Sequence, residues 1–215
     1  MPLLGQYRLG GADVAVWRIT ETLDELLGMV PEDCAVYALD AFSSEKRRVE
    51  WLAVRAVLAR LFGNGARVVY DAAGKPVLEG ACGHISVSHT SGFAVVAFSR
   101  DGEVGVDVEL TSRDVLPVAG RFMQLEHLEG LQRCESGFVA LVHWCAKEAL
   151  FKIVGDLGGN FKDNILVGIF DPHRSGSVPL SITGIYGWES AGFVADYSVF
   201  DGLLVVLCRR DGVGV

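Results

Sequence analysis

The chain has 215 residues, half of them hydrophobic, and a formal net charge of −8. That is enough chain for one large core or two small ones, and so acidic a protein lacks the basic surface that general nucleic-acid binding needs. No apolar stretch is long and charge-free enough to span a bilayer, and the N-terminus has no basic start followed by an apolar block and a small-residue cleavage site. A cytoplasmic protein with neither nucleic acid nor membrane as partner is expected. The 5 cysteines are scattered, odd in number and without a CxxC pair, which points to reduced, mostly buried thiols rather than a disulfide framework or a zinc site.

In chain order, residues 14–19 read as a short strand. Residues 43–63, SSEKRRVEWLAVRAVLARLFG, form the clearest helix, with Ser43 or Ser44 as cap, apolar residues at helical spacing and Gly63 as stop. RVVYDAAGKPVL reads as a strand, a Gly-Lys-Pro turn and a short extended piece. HISVSHTSGFAVVAFSRDG is two strands joined across a Ser/Gly turn, leading into a further strand, VGVDVEL. Residues 115–153 are helical in pattern, with a break at 134–137. Strands then dominate in ILVGIF, SITGIYGWES, FVADYSVF and GLLVVLCRR. The order implies α+β architecture, helices on antiparallel sheets.

The pattern also looks doubled. GFAVVAFSRDG from Gly92 parallels GLLVVLCRRDG from Gly202, and W-L-A-V-R-A from Trp51 parallels W-C-A-K-E-A from Trp144. Two similar subdomains, residues 1–102 and 103–215, with pseudo-twofold symmetry and a ligand cleft between them, are the reading of this repeat.

Four stretches carry candidate chemistry. In VGVDVEL, strand alternation puts Asp107 and Glu109 on one face. Two like charges side by side need compensation if buried, which a hard divalent cation supplies; a solvated acidic edge is the other reading. In HWCAKEALFK, Trp144, Glu148 and Lys152 recur every four residues and share a helix face, either as part of such a site or as an ordinary ion pair. Lys147 points elsewhere, into solvent or toward a phosphate from the side. In SVSHTSG, His89 sits in a turn beside Ser88 and Thr90, where a side chain is presented to a phosphate oxygen or simply to water. In GKP, Pro76 stiffens the turn that carries Lys75.

Together these stretches resemble the 4′-phosphopantetheinyl transferase superfamily. VGVDVE followed by WCAKEALFK resembles its signature, and GKPVL and SVSHTSG, upstream and in that order, resemble the two further motifs of the longer, surfactin-synthetase-activating type. The spacing between Asp107 and Trp144 is a little shorter than is usual there, with the shortening around residues 133–137, a loop that bears on carrier recognition.

The resemblance implies a monomeric enzyme of two similar subdomains, with Mg²⁺ as cofactor and coenzyme A as donor. It would move the 4′-phosphopantetheine arm to a serine of an apo acyl carrier protein or peptidyl carrier domain, releasing adenosine 3′,5′-bisphosphate. Carried over to this chain, Asp107, Glu109 and Glu148 are the metal ligands. Glu148 is also the candidate base, directly or through water, and Lys152 neutralises the phosphate under attack. Ser88 and His89 contact the phosphates, Lys75 lies near the nucleotide, and Arg55 meets the 3′-phosphate, with Arg48 or Lys46 helping. Phe122, Met123, Leu125 and Leu128 are either a patch receiving the carrier or helix core. Two other readings share features with this one: a non-catalytic coenzyme A or carrier-binding protein of the same fold, and a metal-dependent phosphate hydrolase.

Overall fold

Alternation decides the architecture. In LLVVLCRR, Leu203, Val205 and Leu207 point one way and Leu204, Val206 and Cys208 the other, yet all six are buried. Such a strand must be covered on both faces. The computed structural model, which describes residues 3–63, 65–72, 74–80, 82–124, 127, 136–155, 160–188 and 191–212, shows what covers them.

The elements run β1 (Leu3–Leu9), β2 (Ala12–Arg18), α1 (Leu23–Met29), α2 (Glu32–Ala41), α3 (Glu45–Phe62), β3 (Val68–Tyr70), β4 (Pro76–Leu78), β5 (His84–Thr90) and β6 (Phe93–Ser99). They continue with β7 (Val104–Leu110), a 3-10 helix (Leu116–Arg121), α4 (Ser136–Val154), a short helical turn (Phe161–Asn164), β8 (Ile165–Val167), β9 (Ser175–Ile182), β10 (Gly192–Phe200) and β11 (Leu203–Arg210). Among the described residues the first sheet has the order β1-β2-β6-β5 and the second β7-β11-β10-β9-β8, β3 and β4 form a separate pair, and every pair is antiparallel. This is the α+β class expected from the sequence.

The two sheets meet face to face. Val14, Val16 and Val95 of the first share a core with Val106, Val108 and Val205 of the second. On the outer face of the first sheet, α3 buries Leu52, Ala53 and Ala56 against Trp17 and Val96. On the outer face of the second, α4 buries Ala146, Ala149 and Leu150 against Leu204 and Val206. Each fully buried Leu or Val contributes about 1.5–3 kcal/mol relative to exposure.

The repeat legible in the sequence has a counterpart in topology. β6 lies between β2 and β5, and β11 lies between β7 and β10. β6 and β11 each follow a glycine at nearly the same left-handed φ, 76° at Gly92 and 77° at Gly202. The step from one sheet to the other falls between Ser99 and Val104.

Several elements differ from the sequence reading. β1, α1 and α2 have no counterpart among the elements expected from the sequence. α1 does carry a signal, Thr22-x-x-Glu25, which forms a reciprocal capping box: Glu25 N donates to Thr22 Oγ1 and Thr22 N to Glu25 Oε2. SITGIYGWES is not a strand throughout. The strand is Ser175–Ile182, which takes in only the first two residues of that stretch, and the backbone turns after Ile182 at Gly184 and Gly187, both of positive φ. His89 lies inside β5 rather than in the turn after it. Phe122 and Met123 are fully buried beside Trp144 and α4, so they are core and not a carrier-receiving patch. Leu125 and Leu128 lie outside the described residues, as does Cys134. Of the described cysteines, Cys145 and Cys208 are buried, Cys34 is half-buried and Cys82 is exposed, all as free thiols.

Candidate active site

β5 is an edge strand of the first sheet and β7 an edge of the second. Three hydroxyls, on alternate residues of β5 and so on one face, reach across to β7. Ser86 Oγ accepts from the Val106 amide at 3.0 Å, Ser88 Oγ donates to Asp107 Oδ1 at 2.9 Å, and Thr90 Oγ1 donates to Glu109 Oε2 at 2.9 Å. The motif SVSHT therefore joins the two sheets and holds two carboxylates by hydrogen bonds.

α4 crosses over the same face of β7. The crossing is close because residue 105 is glycine: a Cβ there would fall 1.9 Å from the Ala149 carbonyl oxygen. The glycine of VGVDVEL thus lets the helix sit down on the strand, with Glu148 and Lys152 one turn apart above Asp107.

Lys152 Nζ donates to Asp107 Oδ1 at 3.0 Å, to Ser88 Oγ at 3.0 Å and to the Val106 carbonyl at 2.6 Å. The ion pair is largely buried, with Asp107 10% exposed and Lys152 28%. Asp107 Oδ2, also buried, has no hydrogen-bond partner. Glu148 belongs to the same group. Burial first, and the Asp107 charge second, raise its pKa above the usual carboxyl value, with Lys152 and Arg113 opposing. The buried Cys145 thiol is likewise held well above its ordinary value, by burial and then by Asp107.

Glu109 is engaged at both oxygens. Thr90 holds Oε2, and Arg113 Nη1 pairs with Oε1. Arg113 was not singled out in the sequence: it follows the end of β7 in a turn, where no periodicity links it to Glu109. Its guanidinium lies over the Trp144 ring, 5.5 Å from the centroid.

His89 is half-exposed, with Nδ1 3.7 Å from Glu50 Oε2. Burial lowers its pKa from 6.5, with Glu50 opposing, which favours the neutral imidazole near pH 7. Lys75 Nζ pairs with Glu103 at 3.0 Å. Arg55 is buried, stacked 3.7 Å from the Trp51 ring centroid and donating to the Tyr70 hydroxyl. Arg48 is committed to the end of α2, donating to the Phe42 and Leu39 carbonyls at 2.7 and 2.9 Å. Lys46 is exposed, 3.8 Å from Glu50.

Lys147 corrects the sequence reading. It is fully buried, not solvated, and Nζ donates to the Phe161 and Lys162 carbonyls at 3.2 and 2.9 Å. Burial lowers its pKa to about 8.

A cavity of about 440 Å³ opens beside this group. Tyr70, Lys75, Pro76 and Ser86 form one wall, and Phe151, Lys152 and Ile153 form the other. Lys75 and Lys152 thus face one cavity from opposite halves of the chain. Glu103 and Asp71 line it too, and Lys75 and Lys152 are paired with Glu103 and Asp107. The phosphates of a ligand carrying an apolar portion would therefore compete with these carboxylates for the two ammonium groups.

Among the described residues no three His, Cys, Asp or Glu side chains form a ready group for a metal ion. The donors fit a hard cation in type all the same. Asp107 offers a buried, unpartnered carboxylate oxygen and Glu148 a carboxyl beside it, the oxygen ligands that Mg²⁺ takes.

Residues 103–197, which include β7 and α4, match the family model of the 4′-phosphopantetheinyl transferase superfamily. The superfamily read from the motifs is borne out over that stretch. The chain is similar to a Synechocystis sp. protein named "Putative 4′-phosphopantetheinyl transferase", 35% identical over 118 residues, covering 48% of this chain and 47% of the relative. It is also similar to the 4′-phosphopantetheinyl transferase AcpT of Salmonella typhimurium, 35% identical over 112 residues, covering 49% of this chain and 58% of the relative. The chain thus spans about half the length of the curated relatives it matches. Among the described residues, no helix is long and apolar enough to cross a membrane.

Proposed function

We propose that this protein is a 4′-phosphopantetheinyl transferase, moving the phosphopantetheine arm of coenzyme A to a serine of an apo acyl or peptidyl carrier protein. The observation that carries the reading is the group Asp107, Glu148 and Lys152 at the edge of a cavity that Lys75 faces from the other side. The matched superfamily and the names of the relatives support the same activity.

In this reading the serine oxygen attacks the phosphorus that bears the pantetheine arm. A new P–O bond forms, and the bond to adenosine 3′,5′-bisphosphate breaks with the electron pair leaving on the bisphosphate. Glu148, its carboxyl made more basic by burial and by Asp107, accepts the serine proton directly or through a water. Lys152 stands against the phosphate charge, and its present bonds to Asp107 and Ser88 hold the ammonium in position. Ser88 and His89 reach the donor's phosphates, and Lys75 its nucleotide end. Arg55, behind Tyr70 in the cavity wall, supplies positive charge near the 3′-phosphate. Arg48 acts on α2 instead, through the carbonyls it already holds. Asp107 and Glu148 would hold Mg²⁺, which would supply masking of the pyrophosphate charge.

The carrier docks beside this group on the 3-10 helix. Leu116 and Val118 are its exposed apolar side chains, 38% and 37% accessible, and Arg113 and Arg121 flank them, which suits an acidic partner. The subdomain split at residue 102, the monomeric state and a cytoplasmic location belong to the same proposal.

The test is intact mass. Protein incubated with Mg²⁺, coenzyme A and an apo carrier should add about 340 Da to the carrier, the covalent phosphopantetheine arm. Coenzyme A binding with no mass gain on fatty-acid, polyketide or peptide-synthetase carriers would point to the non-catalytic binding protein.

A further inference from the structure

The two acidic residues of β7 are held in different ways. Lys152 and Ser88 both hold Oδ1 of Asp107, and its buried Oδ2 is left without a partner. Glu109 has both oxygens committed, Oε2 to Thr90 and Oε1 to Arg113. Arg113 is anchored through its backbone, while its side chain is 46% exposed. Its amide donates to the Leu110 carbonyl at 2.9 Å, and Thr111 pins the preceding turn through its amide and hydroxyl to the Gly202 carbonyl. Its guanidinium rests on Trp144, which packs against Phe122 and Phe161.

We infer that Arg113 is a positioning residue that competes with a divalent cation for Glu109. The ion pair keeps Glu109 out of the ligand set, so that cation affinity in this chain rests on Asp107 and Glu148. The inference rests on the cation reading above and changes the place of Glu109 within it. A guanidinium paired with a carboxylate neutralises the charge a divalent ion would use, and a fixed cation in the same group repels a second one. Removing Arg113 does two things together: it takes away the repulsion and frees a third carboxylate.

The experiment measures Mn²⁺ binding by electron paramagnetic resonance of the free ion, on the full chain without coenzyme A. The variants are Arg113→Ala, Arg113→Gln, Glu109→Gln, the double variant Arg113→Ala with Glu109→Gln, and Asp107→Asn. Arg113→Ala and Arg113→Gln should each bind Mn²⁺ about fivefold or more tightly than the parent, in line with the usual coupling between groups in contact. Glu109→Gln should cost much more affinity in the Arg113→Ala background than in the parent. Circular dichroism confirms that each variant is folded, and Arg113→Gln keeps side-chain bulk over Trp144. The inference is overturned if both Arg113 variants bind Mn²⁺ no more tightly than the parent, or if Glu109→Gln costs the same in both backgrounds. Loss of binding in Asp107→Asn alone keeps the cation reading intact in that event, whereas no Mn²⁺ binding by any protein removes both.

Discussion

Gly105 and Ala149 are in contact where β7 passes under α4, so closely that a Cβ on residue 105 would lie 1.9 Å from the Ala149 carbonyl oxygen. Backbone blocks that position, and the clash cannot be relieved by turning a side chain. Gly105→Ala should destabilise the protein by about 2–4 kcal/mol, as overpacking against a rigid element does. It should also reduce transfer by lifting Glu148 and Lys152 off Asp107. Urea unfolding and carrier mass gain measure the two effects, and unchanged unfolding would mean that the strand and helix are not in close contact.

The Lys152–Asp107 pair makes a second prediction. Lys152→Met leaves a buried carboxylate that keeps the Ser88 hydroxyl as a donor but has lost its ammonium partner. The cost should be roughly 2–3 kcal/mol, toward the low end for a broken buried pair because Lys152 is 28% exposed. Adding Asp107→Asn should return part of that stability, since the uncompensated charge is gone, while transfer stays lost. If the double variant is no more stable than Lys152→Met, the pair is not what holds the carboxylate.

Acid stability should depend on His143. Burial first, then the neighbouring His127 and Lys147, lower its pKa from 6.5 to about 3, so the folded state keeps it neutral. The folded pKa lies below the unfolded one, so the stabilising effect is complete above the unfolded value. It is lost as pH falls from about 6.5 toward about 3, at up to about 1.4 kcal/mol per pH unit. His143→Phe should flatten that part of the stability–pH curve, as chemical denaturation at several pH values would reveal. A curve of unchanged slope would mean that His143 is already charged in the folded protein.

Lys147 should matter to stability rather than to chemistry. Lys147→Met removes a donor from the Phe161 and Lys162 carbonyls, leaving Phe161 without it while Lys162 still accepts from Gln124. It should cost about 1–3 kcal/mol, the usual cost of leaving a buried polar group unpaired. Donor affinity should be unchanged in the folded fraction, which calorimetry with coenzyme A would measure. A loss of affinity without a loss of stability would instead give Lys147 the phosphate-reaching role.

Much of the site was legible along the chain because local rules act on few residues. Alternation alone put Asp107 and Glu109 on one strand face, and helical spacing put Glu148 and Lys152 on one helix face. Both pairs are so placed. SVSHT, which reads as a turn around His89, is instead the end of β5, and its alternation sends Ser86, Ser88 and Thr90 across to β7. What the linear pattern lacked was the distance between elements. Lys147, next to Glu148, reads as solvated until the segment at Phe161 and Lys162 folds over it. Arg48, read as a phosphate contact, is claimed by the end of α2.

The order of residues by itself determined the sheet and helix faces, the α+β class and the acidic and basic groups available for chemistry, because side-chain direction follows from backbone periodicity. Only the tertiary structure decided which charges meet: Lys152 with Asp107, Arg113 with Glu109, and Lys75 across the cavity from Lys152. Those pairings join residues brought together by the packing of two sheets and a helix, or by an irregular turn, and no repeat along the chain encodes such distances.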